Sequence, residues 1–175
     1  DAIAYGYAAG STIGHEMTHG FDDQGSQFDE KGNLVEWWTP EDRAQFLERT
    51  KKIVEQFNNY IIIDTIHVNG DATQGENIAD LGGMLLGFEA FKMTDQYKEG
   101  KLIGGYTPTQ RYFLGFALSW YGKYRDEAMV LRAKTDVHSP NFLRVNGPAY
   151  NIPEFYDAFG VKPGDKMYVP DSLRV

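Results

Sequence analysis

Apolar residues recur at helical spacing along most of the chain, and Gly- or Pro-bearing breaks separate the helical stretches. Residues 2–19 carry Ile3, Tyr7, Ile13 and Met17 in helical register, and Gly20 supplies a stop. Residues 21–38 are rich in Gly, Asp and Asn. They predict a loop with a short hairpin, Gln27-Phe28 and Leu34-Val35 flanking Asp29-Glu30-Lys31-Gly32-Asn33. Thr39 then caps a second helix, with Pro40 and Asp42 in its first turn and a buried stripe of Phe46, Leu47, Ile53, Val54 and Phe57. The β-branched residues 60–68 fit either a strand or an extended loop. A third helix is expected over 75–97, with Ile78, Leu81, Leu85, Phe88 and Phe91 inward. Thr107-Pro108-Thr109-Gln110 caps a fourth that runs through Trp120, and 126–133 reads as a fifth. Ser139-Pro140 starts a short helical turn, and Asn151-Ile152-Pro153-Glu154 caps a last helix that ends at Gly160. With no repeat, linker or low-complexity stretch, residues 1–175 read as a single, mainly helical domain.

Composition narrows the function classes. A hydrophobic fraction of 42% and an aromatic fraction of 14% support a sizeable core. The net charge of −8, from 25 acidic and 17 basic residues with no basic run, argues against a nucleic-acid or anionic-membrane partner. The absence of cysteine removes disulfides, thiolate metal sites and a cysteine nucleophile together. No apolar stretch reaches membrane-spanning length, and the first residues are not a signal peptide. The chain runs directly into its first helix and reads as a piece of a longer protein.

The chemistry concentrates in His15-Glu16-Met17-Thr18-His19. Two histidines four apart project from the same side of a helix, close enough to hold one zinc ion. Glu16 follows His15 by about 100° of helical rotation, poorly placed as a ligand but well placed to reach a water on the metal. Imidazole ligands with a carboxylate base are what hydrolysis of a peptide bond requires.

Two histidines leave the shell one ligand short. A third histidine in the pattern H-E-x-x-H-x-x-G-x-x-H is excluded, because Asp22 stands where its glycine belongs and Gly25 where its histidine belongs. The alternative is a glutamate from a later helix, and Gly75-Glu76-Asn77-Ile78-Ala79-Asp80 offers the best candidate. Glu76 and Asp80 lie one turn apart and face the same way. Glu76 could ligate the metal while Asp80 orients a ligating imidazole. Judged alone, Glu76 also matches a capping box, Thr73-Gln74-Gly75-Glu76, and that reading stays open here. Asp22 and Asp23 either support His19 or order the loop after it. His67 has no derivable role.

Three blocks in order, His15-Glu16-Met17-Thr18-His19-Gly20-Phe21-Asp22-Asp23, Gly75-Glu76-Asn77-Ile78-Ala79-Asp80, and Asp136-Val137-His138-Ser139-Pro140 with Arg144, resemble the signatures of the neprilysin and endothelin-converting-enzyme family of zinc metallopeptidases. The long interval from His19 to Glu76 is that family's, not thermolysin's. The resemblance implies a mainly α, zincin-like, thermolysin-related catalytic fold with little β structure. It implies one Zn²⁺ held by His15, His19 and Glu76, and a metalloendopeptidase that cleaves oligopeptides. In that reading Glu16 is the base for a zinc-bound water, and His138 stabilises the oxyanion, with Asp136 as a weaker inference for holding it. Asp80 carries a catalytic role that the family describes as proton donation and that physics favours as orientation of a ligand histidine. Arg144 binds a substrate backbone carbonyl, and Trp120, by default a core residue, aligns with an aromatic lining the pocket for the residue after the scissile bond.

The resemblance further implies the C-terminal catalytic portion of a longer, bacterial oligopeptidase-type protein. Its N-terminal remainder, which would carry the substrate-pairing strand, would then be a partner. Periplasm, cell envelope or secretion is favoured over cytoplasm. Two rival classes compete: a zinc-binding module without efficient catalysis of its own, and a metal-free helical interaction domain. The first predicts metal without turnover, and the second predicts neither stoichiometric zinc nor destabilisation by a chelator.

Overall fold

The computed structural model describes residues 1–175. Nine α-helices, in chain order, are α1 (Ala2–Ala4), α2 (His15–Thr18), α3 (Pro40–Asn58), α4 (Gly70–Lys92), α5 (Asp95–Glu99), α6 (Pro108–Ser119), α7 (Asp126–Thr135), α8 (Asn141–Ala149) and α9 (Pro153–Phe159). Two short strands, β1 (Ile61–Ile63) and β2 (Ile66–His67), form an antiparallel pair that settles the β-branched stretch. The Phe28–Leu34 bridge closes the expected small hairpin. The fold is mainly helical, and no helix is long and apolar enough to cross a membrane.

Local signals place several elements well. Thr39 accepts from the Asp42 N–H to cap α3, and Thr107 and Gln110 form a reciprocal capping box on α6. Gly160, at φ +65, ends α9 in the left-handed conformation.

Four expectations need correction. Between α1 and α2 the chain winds as a π-helix over Tyr5–Gly14, and a 3₁₀ turn follows over His19–Phe21, so helical structure runs past Gly20. The buried face of this segment is not Ile3, Tyr7, Ile13 and Met17, which are exposed, but Ala2, Gly6, Gly10, Ser11, Gly14 and His15. Helix α4 starts earlier than expected, capped by Asn69, and stops at Lys92, so α5 is separate. Leu47 and Leu85, assigned inward, are also exposed.

The small residues allow an unusually close helix contact. A Cβ on Gly83 of α4 would lie 2.5 Å from the Gly10 carbonyl oxygen and 2.5 Å from the His15 backbone nitrogen. One on Gly14 would lie 2.9 Å from the Gly83 oxygen. Below this contact lies an aromatic core of Met84, Phe88 and Phe91 from α4, Tyr112, Phe113 and Phe116 from α6, and Phe155 and Tyr156 from α9. The buried Tyr112 hydroxyl donates to the Met84 carbonyl at 2.6 Å. A second cluster of Ile53, Phe57, Ile62, Val68 and Leu143 packs α3 and the strand pair against α8.

Gly83→Ala should therefore force the motif helix and α4 apart and cost about 1–3 kcal/mol, as overpacking does. A fall in the denaturant midpoint checks this, and an unchanged midpoint would show that the contact is not limiting.

Candidate metal centre

Helix α2 and the 3₁₀ turn after it present His15 and His19 on one face, and the contact at Gly83 brings α4 alongside. Glu76 and Asp80 sit on α4 in its second and third turns, clear of the N-cap, which Asn69 fills. Thr73 donates its hydroxyl to the Asn69 carbonyl, so Glu76 takes no part in a capping box.

The ligand atoms converge. His15 Nε2 and His19 Nε2 are 3.0 Å apart. Glu76 places Oε2 at 3.3 Å from His15 Nε2 and Oε1 at 3.6 Å from His19 Nε2. Zinc–ligand bonds of about 2.0–2.1 Å in a tetrahedron put neighbouring donors about 3.3 Å apart, so these spacings fit the edges of a zinc tetrahedron. His15, His19 and Glu76 are also the one set of metal-competent side chains that comes together in this way. Three protein donors leave a fourth corner open, the pattern of a catalytic site rather than a closed structural one.

The far sides of both imidazoles face carboxylates. His19 Nδ1 meets Asp22 Oδ2 at 2.7 Å, while Asp22 Oδ1 accepts from the Gln24 and Gly25 N–H groups. Asp22 thus does both things the sequence left open: it supports His19 and orders the loop. His15 Nδ1 lies 2.9 Å from Asp80 Oδ1, close but off the hydrogen-bond axis. Burial opposes charge on His15, but the neighbouring carboxylates of Asp80 and Glu76 outweigh it and raise its pKa to about 9. Burial likewise opposes charge on Glu76, yet His15, His138 and Arg144 hold its carboxyl below the usual glutamate range. On Asp23, burial and the adjacent Asp22 push the carboxyl up.

A second shell closes around these groups. Asp80 is fully buried, and Arg144, 5% exposed, grips it through Nε at 2.8 Å and Nη2 at 2.9 Å. Nη2 also donates to Glu76 Oε2 at 3.1 Å. The Trp120 ring lies against the guanidinium, 3.7 Å from Cζ to the ring centroid, while its edge packs on the main core. His138 brings Nε2 to 3.3 Å from Glu76 Oε2, and Asp136 holds its Nδ1 at 2.7 Å and its backbone N–H at 2.9 Å. Arg132 in turn pairs with Asp136. Burial works against charge on Asp136, but His138 and Arg132 keep its carboxyl low. Glu16 is exposed and enters no hydrogen bond or ion pair, which leaves its carboxylate available to water. His67 sits elsewhere, its Nδ1 on the Asn58 carbonyl.

His15, His19, Glu76, Asp80, Trp120, His138 and Arg144, singled out in the sequence, therefore belong to this neighbourhood with Asp22 and Asp136, and Glu16 lies on the turn that carries His15 and His19. The buried pair of Asn77 and Ser139, which joins α4 to the His138 loop, was not anticipated. Its only trace in the sequence is polar residues at four-residue spacing on an inward helix face.

Comparison with known proteins settles the lineage. The chain matches the family model described as peptidase family M13 across residues 1–175. The chain belongs to that family. Neprilysin-2 of Drosophila melanogaster is 44% identical over 164 residues, 91% of this chain and 21% of that protein. Human neprilysin is 39% identical over 180 residues, all of this chain and 24% of that protein. Among solved structures, the zinc metalloprotease Zmp1 of Mycobacterium tuberculosis in complex with an inhibitor superposes with a TM-score of 0.90 at 41% identity, covering 99% of this chain and 27% of its own. PepO of Lactobacillus rhamnosis gives 0.86 at 36% identity, covering 100% of this chain and 26% of its own. This M13 chain thus spans about a fifth to a quarter of the length of these relatives.

Arg144→Met should leave the Asp80 carboxylate buried without its partner and cost about 3–5 kcal/mol. Chemical denaturation measures it; a loss under about 1 kcal/mol would mean that the pair is solvated in solution.

Proposed function

We propose that the protein carrying this chain is a zinc metalloendopeptidase that hydrolyses peptide bonds in oligopeptides. The observation that supports it most is the convergence of His15 Nε2, His19 Nε2 and the Glu76 carboxylate at tetrahedral spacing. Zinc bound there supplies a Lewis acid that lowers the pKa of a coordinated water to about 7.

The chain's own residues do the rest. Glu16 takes the proton of the attacking water and returns it to the leaving amine, a role suited to an exposed, unpaired carboxylate on the same turn as both imidazoles. His138, with Nδ1 held by Asp136, presents Nε2 to the oxyanion that develops on the peptide carbonyl. Asp80 and Asp22 set the rings of His15 and His19. A fully buried Asp80, engaged by Arg144 on both oxygens, is suited to orienting rather than to moving protons. Arg144 keeps Nη1 uncommitted, and that donor binds a backbone carbonyl of the substrate. Trp120 fixes the guanidinium plane and borders the pocket for the residue after the scissile bond.

Glu16→Gln should lower kcat by about 10²–10⁴-fold, the range for a lost general base, with zinc content unchanged by elemental analysis. Near-normal turnover would sink the mechanism. Glu76→Ala should instead lower zinc affinity by more than the roughly 10–100-fold typical of losing an outer partner, measured by competition with a chromogenic chelator.

A further inference from the structure

The His138 loop is oriented locally by Asp136, but an orientation within a loop does not fix where the loop stands relative to α4. A buried polar ladder does. Ser139 Oγ donates to Asn77 Oδ1 at 2.8 Å across 62 residues of chain. Asn77 Nδ2 donates to Thr73 Oγ1 at 2.9 Å, and Thr73 Oγ1 donates to the Asn69 carbonyl at 3.0 Å. Ser139 is 1% exposed, Asn77 2% and Thr73 4%.

The direction of every bond is forced. A backbone carbonyl only accepts, so the Thr73 hydroxyl must point to Asn69 and its lone pair to the Asn77 amide nitrogen. That fixes the amide orientation, and only the Asn77 carbonyl oxygen then remains for Ser139. Reversing any one member leaves a buried group unpaired, which makes the arrangement stiff. The ladder runs along the turns of α4 that also carry Glu76, one residue before Asn77. One helix turn therefore holds both the metal-binding carboxylate and the anchor of the loop whose imidazole lies 3.3 Å from it. Asn141, two residues further on at the start of α8, adds a second tie, from Nδ2 to the Trp120 carbonyl.

We propose that Ser139 and Asn77 are positioning residues that set the place of His138 relative to Glu76, and so the oxyanion contact. This rests on the peptidase reading above. It concerns rate and not metal retention, because neither side chain touches the donor atoms of His15 or His19.

The test is Ser139→Ala in the zinc-loaded protein, followed by peptide kinetics, zinc analysis and the imidazole ¹⁵N resonances of the histidines. Small misplacements of a reacting group cost up to about 10²-fold. The expected result is a loss of about tenfold in kcat, with KM within about twofold and full zinc content. The His138 resonances should shift or broaden while those of His15 and His19 stay in place. In a His138→Ala background, Ser139→Ala should cost nothing further, because Ser139 acts through that imidazole. Thr73→Val, isosteric and farther along the ladder, should give the same pattern at smaller size and serves if Ser139→Ala does not fold. Wild-type kcat with unmoved His138 resonances would overturn the proposal, as would an equal loss in the His138→Ala background. A zinc-loaded wild-type protein that cleaves no peptide would instead overturn the peptidase reading, and the His138 resonances would still report on the anchor.

Discussion

The backbone contact between His15 and Gly83 is the constraint on which the site depends. Glu76 and Asp80 lie seven and three residues before Gly83, two turns and one turn along the same helix face. Once Gly83 is seated against the His15 nitrogen, the height and distance of both carboxylates over the two imidazoles are set. A metal shell tolerates errors of a few tenths of an ångström, less than the displacement that one methyl group here would impose. Glycine inside helices costs about 0.5–1 kcal/mol each. The cost is offset immediately beyond, where Phe88, Phe91, Tyr112 and Phe116 are fully buried in the main core.

That core also explains how so many charged groups can be buried together. Asp80 and Arg144 have left water almost entirely, and isolated ions in that position would be strongly unfavourable. The two-pronged guanidinium satisfies both Asp80 oxygens and reaches Glu76 as well, while Trp120 covers its face. The result is a rigid, low-dielectric wall behind His15 and Glu76, where dipoles and charges act more strongly than in water. Exposed Glu16 lies outside this wall, with its carboxylate open to water.

How much was legible in the sequence follows from what kind of physics each feature uses. Caps are local chemistry, so Thr39, Thr107 with Gln110, and Gly160 could be read directly. The clustering of His15, His19 and Glu76 was legible because spacing on a helix fixes which side chains share a face, and Glu76 with Asp80 obeys that rule as His15 with His19 does. The inward face of the first helical segment was not, because periodicity searches for large apolar residues. This interface selects the absence of side chains, and Ile3, Tyr7, Ile13 and Met17 are left outside. The start of α4 was missed for a related reason: Thr73 is a good cap in isolation, but Asn69 caps the longer helix and turns Thr73 into a rung of the buried ladder. Long-range polar pairs such as Asn77 with Ser139 leave at most polar residues at four-residue spacing on one helix, which does not identify the distant partner.

The division of labour along the chain has a consequence for how the site can change. Every metal-competent donor comes from two elements locked together by glycine contacts, the motif helix and α4. Trp120, His138 and Arg144 come from the end of α6 onward, and the loop and helix that carry His138 and Arg144 meet α4 through side chains. Side-chain contacts can be retuned one residue at a time, whereas a backbone-to-backbone contact cannot. The spacing of the His15, His19 and Glu76 donor atoms is therefore the rigid property of this architecture, and the placements of His138, Arg144 and Trp120 are the adjustable ones. Their adjustment has to pass through the few polar bonds that join α8 and the His138 loop to α4.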